Sequence, residues 1–181
     1  MDTSRDLEKV LYYEQDITLR IHELGNRLNR DFAGRKPIFV AILRGSFMFI
    51  ADLVRTIDLD CRVDFMSVSS YGGGTATSGK IVIEKDIMMP ITGEDVILID
   101  DILDSGNTLY EISQILRARG PRSLKTVVLL DKPSRREKPI EADYVGFTID
   151  DVFVVGYGLD YDQRYRNLRH IGVLKPSVYQ K

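Results

Sequence analysis

Three aspartates, Asp100, Asp101 and Asp104, stand beside a Ser105-Gly106-Asn107-Thr108 turn. A small polar turn that opens a helix offers backbone amides to an anion. Carboxylates serve the opposite charge, as metal ligands or as partners of a cation. Three of them around an anion hole would repel a bare phosphate, so some positive charge must intervene. Either a divalent metal bridges them, or a cation develops in the reacting molecule. A sugar breaking its bond at C1 supplies one, the oxocarbenium ion. A structural alternative is open at the same residues. Thr108-x-x-Glu111 has the form of a capping box, so Thr108 could simply start a helix, and Asp100 and Asp101 could be acids that end a strand.

A second stretch, GGGTATSGK (72–80), nearly spells a nucleotide-binding loop. Gly74, Gly79 and Lys80 fit G-x-x-x-x-G-K, but Ile81 stands where a magnesium-binding Ser or Thr is required. KIVIEKDI (80–87) then reads as a strand, where that motif needs a helix. The stretch is read instead as a loop between two strands, able to act as a lid that excludes water.

The elements that must position these residues follow from hydrophobic pattern. Ile17, Ile21, Leu24 and Leu28 recur at helical spacing over 16–32. IFVAIL (38–43), VILI (96–99) and TVVLL (126–130) are continuous apolar runs of the kind buried on both faces of a sheet. FMFIADLVR (47–55) reads as a helix, and Leu109, Ile112, Ile115 and Leu116 mark another that ends at Gly120-Pro121. VDFMSV (63–68), YVGFTI (144–149) and VFVVGY (152–157) complete the strands. Strands alternating with helices imply an α/β fold, a mainly parallel twisted sheet flanked by helices. The expected organisation is a single domain over 1–181, with a core of about 35–150 and a small subdomain from the two termini, about 1–15 and 151–181. Ligands bind such sheets at the carboxyl ends of strands. Arg44-Gly45-Ser46, Asp100 to Thr108 and Asp131 to Arg136 all fall there.

Composition narrows the function classes. With 44% hydrophobic and 29% charged residues the chain is an ordinary globular protein, and a net charge of −2 disfavours a general nucleic-acid binder. No run reaches the ~18 apolar residues of a membrane span, and the polar N-terminus does not read as a signal peptide. The one cysteine, Cys61, is read as a small apolar residue in a reducing, cytoplasmic compartment. His22 and His170 are assigned no role.

VILIDDILDSGNTL (96–109) resembles the phosphoribosyl-pyrophosphate (PRPP) motif of the type I phosphoribosyltransferases: four apolar residues, two acids, two apolar residues, then Asp-Ser/Thr-Gly-x-Thr. LRGSFMFIADL (43–53), SSYGGGTATSGKI (69–81), LLDKPSRR (129–136) and VFVVGYGLDYDQRYRNL (152–168) look like the corresponding parts of the hypoxanthine-guanine phosphoribosyltransferases, in the same order. The likeness covers about residues 8–175. It implies the type I phosphoribosyltransferase fold, with a hood from the terminal segments, and Mg²⁺-dependent transfer of ribose 5-phosphate from PRPP to N9 of a 6-oxopurine.

The resemblance also implies roles. Asp104, Ser105, Gly106, Asn107 and Thr108 would hold the 5-phosphate, while Asp100 and Asp101 would engage the ribose directly or through Mg²⁺. Asp104 would be the general base near purine N7. Leu43-Arg44-Gly45 would form the pyrophosphate loop, with a cis peptide before Arg44, where Lys is frequent in the family. Arg166 would bind departing pyrophosphate, with Arg136 as a further helper; read from the sequence alone, Arg166 is a solvent-facing charge. Lys132 would donate to purine O6, Phe153 would stack on the base, and Val154 would touch it through its main chain. Asp160 would bind a second Mg²⁺ or act near the purine's C2 substituent. Ser70-Tyr71 would open a lid running to about Lys80. The partners implied are small-molecule substrates and further copies of the chain, as a homodimer or homotetramer. Beside this reading stand a xanthine-preferring phosphoribosyltransferase and, from another class, a PRPP-sensing regulator that binds RNA or DNA. The acidic charge, the length and the presence of both Asp104 and Lys132 weigh against the regulator.

Overall fold

IFVAIL forms β2 (Ile38–Leu43), a strand whose first five residues are buried. It lies inside a six-stranded sheet of the computed structural model, which describes residues 3–70 and 81–180. In space, β2 lies between β3 (Arg62–Ser70) and β5 (Asp95–Leu103), and β4 (Ile81–Lys85) pairs outside β3. On the other side, β6 (Ser123–Asp131) follows β5, and β7 (Tyr144–Thr148) forms the edge. All neighbours run parallel except β3 and β4.

Alternation along the strands divides the core into two layers. Phe39, Ala41, Ile97, Ile99, Val127 and Leu129 meet α1 (Glu14–Asp31) and α2 (Phe47–Val54) on one face. Val40, Leu98 and Val128 meet α3 (Asn107–Arg117) on the other. Helices therefore cover both faces, which is why the central strands need no polar side. Cys61 is a free, partly buried thiol packed against the first layer. Among the described residues, no helix is long and apolar enough to cross a membrane.

A separate antiparallel sheet joins the two ends of the chain, in the order β1 (Leu7–Tyr12), β9 (Ile171–Leu174), β8 (Val154–Val155). Leu7, Val155, Tyr165 and Leu174 form its own small core. Val154 and Ile171 pack it into the first layer of the main core, Tyr12 stacks on Phe147 at 3.9 Å, and the Tyr157 hydroxyl donates to Asp52 of α2 at 2.5 Å. A short helix, α4 (Pro176–Tyr179), follows β9.

Three sequence expectations are corrected. The strand read over 96–99 continues through Asp100 to Leu103, because it pairs residue by residue with β6 as far as Leu103↔Asp131. The strand read over 152–157 keeps only Val154 and Val155, since Gly156 and Tyr157 turn at φ 101° and 51°. Thr108 does not start a helix: α3 begins at Asn107, behind Gly106 in a left-handed conformation.

One buried acid ties the layers at the amino ends of the strands. Asp95, 1% exposed, accepts hydrogen bonds from Arg122 Nε at 3.1 Å and from the Ser123 hydroxyl at 2.6 Å. The Arg122 guanidinium, against the opposing effect of burial and with help from Ser123 and Arg35, holds this carboxyl below its usual range. A folded carboxyl that ionises below the unfolded one contributes fully above the ordinary value of about 3.9, and the contribution disappears as pH falls through the lower folded value. Asp95→Asn therefore lowers Tm at neutral pH, and the gap to the unaltered chain narrows below about pH 4. Thermal melts over a pH series check this.

Candidate active site

The chain runs outward from β2 to β3 in one direction and from β5 to β6 in the other, so the sheet has its topological switch point between β2 and β5. Loops leaving the carboxyl ends of those two strands must diverge and leave a crevice. A cleft of about 300 Å³ lies there, lined by Arg44 and Gly45 after β2 and by Asp100 to Leu109 from β5 into α3. Nine of the residues singled out from the sequence, Arg44, Gly45, Asp100, Asp101, Asp104, Ser105, Gly106, Asn107 and Thr108, thus share one wall or another of a single cleft.

The anion-holding part is built by backbone. Gly106 stands at φ 85°, and a Cβ there would lie 2.8 Å from Ile140 Cγ2. Only glycine suits that conformation cheaply. Behind it, the first amides of α3 have no acceptor within the helix. Asn107 N reaches only the Ser105 hydroxyl, at 3.4 Å. The turn is held from the far side, because Ser105 O accepts from Glu137 N at 2.9 Å and Lys138 N at 3.1 Å. The result is a rigid ring of donors at the positive end of a helix.

The acid pair sits next to it. Asp100 is 7% exposed and Asp101 half-buried. Burial pushes the Asp100 carboxyl well above the ordinary carboxylate range, and the adjoining Asp101 charge adds to the rise. Burial raises Asp101 as well, opposed by the Asp100 hydrogen bond, by its own backbone contacts and by the positive charge of Arg166. Two carboxylates that resist ionisation together are ready for a cation. The loop opposite has been pared to fit: a Cβ on Gly45 would sit 1.6 Å from Asp101 Oδ2. The Leu43–Arg44 peptide just before it is cis.

Asp104 lines the cleft, and Lys132, which does not, stands beside it. Lys132 follows β6, is 6% exposed, and places Nζ 3.8 Å from Asp104 Oδ2. Lys132 is therefore not a solvated charge. Arg135 Nε stands 3.3 Å from Asp104 Oδ1, yet that oxygen accepts no hydrogen bond from the described residues. Asp104 is therefore flanked by cations while one oxygen keeps its acceptor capacity.

Arg136, expected as a helper for pyrophosphate, is engaged with the chain itself. Its guanidinium donates to Leu103 O at 3.0 Å, to Asp104 O and to the Asp131 carboxylate, so it anchors the phosphate turn from behind. Lys132, Arg135 and Arg136 lie close together in sequence just past a buried strand.

The second sheet contributes the remainder. Arg166 is not a solvent-facing charge: it donates to Gly158 O at 2.7 Å, pairs with Asp160 at 2.8 Å, and lies near enough to act on Asp101. The other oxygen of Asp160 accepts from Gln163 N, 2.9 Å away. Gly158 packs against the loop after β2 so closely that a Cβ would meet Gly45 O at 2.3 Å. Val154 is buried in β8, and Phe153 before it is partly exposed. Neither lines the cleft itself. Ser70 ends β3, whereas Tyr71 and the glycine-rich stretch to Lys80 lie outside the described residues. His22 and His170 line another cavity with Tyr13 and Leu19, away from these groups. Among the described residues, no three His, Cys, Asp or Glu side chains cluster closely enough to hold a metal by themselves.

A model of the phosphoribosyl transferase domain matches residues 10–162. This chain belongs to the phosphoribosyltransferase family. Among curated relatives, a hypoxanthine-guanine phosphoribosyltransferase of Staphylococcus aureus is 51% identical over 174 residues, covering 96% of this chain and 97% of the relative. The bifunctional protein TilS/HprT of Listeria innocua is 48% identical over 97% of this chain, which spans only 27% of that relative's length. Among solved structures, a hypoxanthine phosphoribosyltransferase from Staphylococcus aureus superposes with a TM-score of 0.97 at 49% identity, covering 100% of this chain and 98% of the other. The phosphoribosyltransferase motif, residues 96–109, coincides with most of β5, the phosphate turn and the start of α3.

Proposed function

We propose that this phosphoribosyltransferase transfers ribose 5-phosphate from PRPP to N9 of hypoxanthine or guanine, giving IMP or GMP and pyrophosphate in purine salvage. The observation that carries the proposal is the sharing of one cleft by the helix-start turn at 104–108 and the adjoining Asp100–Asp101 pair. The names of the similar proteins support the choice of acceptor.

In this reading the Ser105 to Thr108 amides and hydroxyls fix the 5-phosphate, and the ribose lies along Asp100 and Asp101. The C1–oxygen bond to pyrophosphate breaks as the bond from N9 forms. Positive charge on the ring peaks between those events, where the two carboxylates favour it. Asp104 accepts the purine proton near N7, and its Oδ1, which accepts no hydrogen bond from the described residues, suits that task. Arg44, Gly45 and Arg166 receive the pyrophosphate, and Ser70-Tyr71 begins a lid that excludes water from the sugar cation.

The donor set also fits Mg²⁺. This ion keeps several waters and takes one or two carboxylates together with substrate oxygens, so it needs no all-protein cage. Asp100 and Asp101, whose charges oppose each other's ionisation, would hold it from one side. Bound there, the ion would neutralise charge on the pyrophosphate leaving group. Asp160 would join a second site only by loosening its pairing with Arg166.

Lys132 directs the base. Its ammonium, buried beside Asp104, offers a donor to a purine O6, whereas the amino group of adenine would leave donor facing donor. Phe153 stacks on the ring, and Val154 and Asp160 complete its edge. Lys132→Ala is expected to raise KM for hypoxanthine and guanine about 10- to 100-fold, as for a lost charged hydrogen bond of ~1.5–3 kcal/mol. Steady-state kinetics with each base check this. In this reading the protein acts in the cytoplasm as a homodimer or homotetramer. Pyrophosphate release measured with PRPP, Mg²⁺ and each of hypoxanthine, guanine, xanthine and adenine tests the proposal. Turnover confined to xanthine would replace it with the xanthine reading, and no turnover with any base would overturn it.

A further inference from the structure

Phe153 has a companion that the reaction does not call for. Its ring lies 4.8 Å from that of Tyr179, with only 22° between the planes, while Tyr161 meets it edge-on at 5.7 Å and 87°. Tyr161 and Tyr179 also meet, at 6.4 Å and 65°, closing a three-ring cluster. A stacked neighbour covers one face of Phe153, and an edge contact covers part of its rim. Phe153 nonetheless stays 38% exposed, which leaves ring surface for a planar base beyond the Tyr179 contact.

Tyr179 is held in place by backbone. Lys175 N donates to Asp6 O at 3.0 Å and its Nζ to Arg5 O at 2.6 Å, which pins the start of α4 to the segment before β1. Val178 and Tyr179 pack on the core made by Leu7, Val155, Tyr165 and Leu174. Phe153 is fixed too, since its carbonyl accepts from Leu174 N at 2.8 Å. Tyr161 stands next to Asp160, which pairs with Arg166, so the cluster links α4 to the segment that carries Arg166.

We propose that Tyr179 is a positioning residue for the purine: it backs the rear face of Phe153 and holds that ring in the plane on which the base stacks. This rests on the reading of Phe153 as the stacking residue. Without Tyr179 the Phe153 ring is free to rotate or to sink into the gap, and the base loses a preset platform. The effect falls on base binding and not on the sugar's chemistry, because neither ring lines the cleft around Asp100 to Thr108.

The test compares Tyr179→Ala, Tyr179→Phe and Phe153→Ala with the unaltered chain, by steady-state kinetics with PRPP and hypoxanthine and by thermal melting. Tyr179→Ala is expected to raise KM for hypoxanthine about 3- to 10-fold, the reach of one aromatic contact. The value of kcat and the KM for PRPP stay within about twofold, and Tyr179→Phe, which keeps the ring, restores the hypoxanthine KM. Should Tyr179→Ala melt too early to assay, a raised hypoxanthine KM in Tyr179→Leu, with a normal one in Tyr179→Phe, supports the proposal equally. An unchanged hypoxanthine KM overturns the proposal, as does an equal rise in the PRPP constant. A fall would place Tyr179 in the base's own position and overturn it as well. Phe153→Ala separates the two levels: if it raises KM while Tyr179→Ala does not, only the role of Tyr179 fails. If neither change moves KM, the stacking role of Phe153 fails with it.

Discussion

Asp104→Asn lowers kcat by ~10²–10⁴-fold, the usual share of acid–base assistance, and leaves PRPP binding nearly intact. The substitution keeps shape and size, so the turn behind it persists. That turn is held by Arg136, which reaches the Asp104 carbonyl and not its side chain, and by Ser105 O. What is lost is a carboxylate oxygen that can take a proton. A second consequence concerns Lys132 and Arg135, which lose the charge they flank at 3.8 Å and 3.3 Å. Lys132 is buried, so its uncompensated charge costs some stability and slightly weakens base binding. Single-turnover rates, beside a PRPP titration followed by calorimetry, separate these effects. A variant turning over at nearly the normal rate would remove Asp104 from the chemistry.

Gly45→Ala reduces kcat/KM by about 10²-fold with little change in Tm. The added methyl would fall 1.6 Å from Asp101 Oδ2, a separation no pair of unbonded atoms tolerates, so either the loop after β2 or the Asp101 carboxylate must move. Either motion shifts a wall of the cleft by roughly an ångström or more, and displacements of that size are enough to spoil a reacting geometry. The fold has less at stake. Gly45 is only half-buried, and the sheet below it is packed by Ile42, Ala41 and their neighbours. The close approach of Gly158 to Gly45 O passes part of the shift to the segment carrying Arg166, so KM for pyrophosphate in the reverse reaction rises too. Kinetics in both directions, with melts in parallel, check this. Full activity would show that Asp101 and the loop need not lie so close.

The central sheet was legible because β2, β5 and β6 are apolar on both faces, a pattern that local sequence carries by itself. Where β5 ends was not. Asp100 looks like a terminator, but its burial depends on pairing with β6, and Val128, its partner there, lies far downstream. The same reason hides β1: LEKVLY has only a weak alternation, and it becomes a strand by pairing with β9 at the far end of the chain. Among site residues, Ser105 to Thr108 could be read as an anion turn since a helix start is a local event. Lys132 and Arg166 could not be told from solvated charges without the resemblance to a known family. Lys132 is set against Asp104 far upstream, and Arg166 folds back on Gly158 and Asp160 of its own segment, a turn that spacing alone does not announce. Arg136 shows the limit from the other side, since a basic residue near a phosphate site turned out to bind carbonyls. Nothing in PSVYQK suggested that its tyrosine would lie against Phe153.

A crystal structure with IMP and Mg²⁺ bound is the most direct measurement of the central claim. The 5-phosphate is expected on the amides of Ser105 to Thr108, with the ribose beside Asp100 and Asp101 and the base against the ring of Phe153. A nucleotide whose phosphate lies elsewhere, with the 104–108 turn left to solvent, would contradict the account.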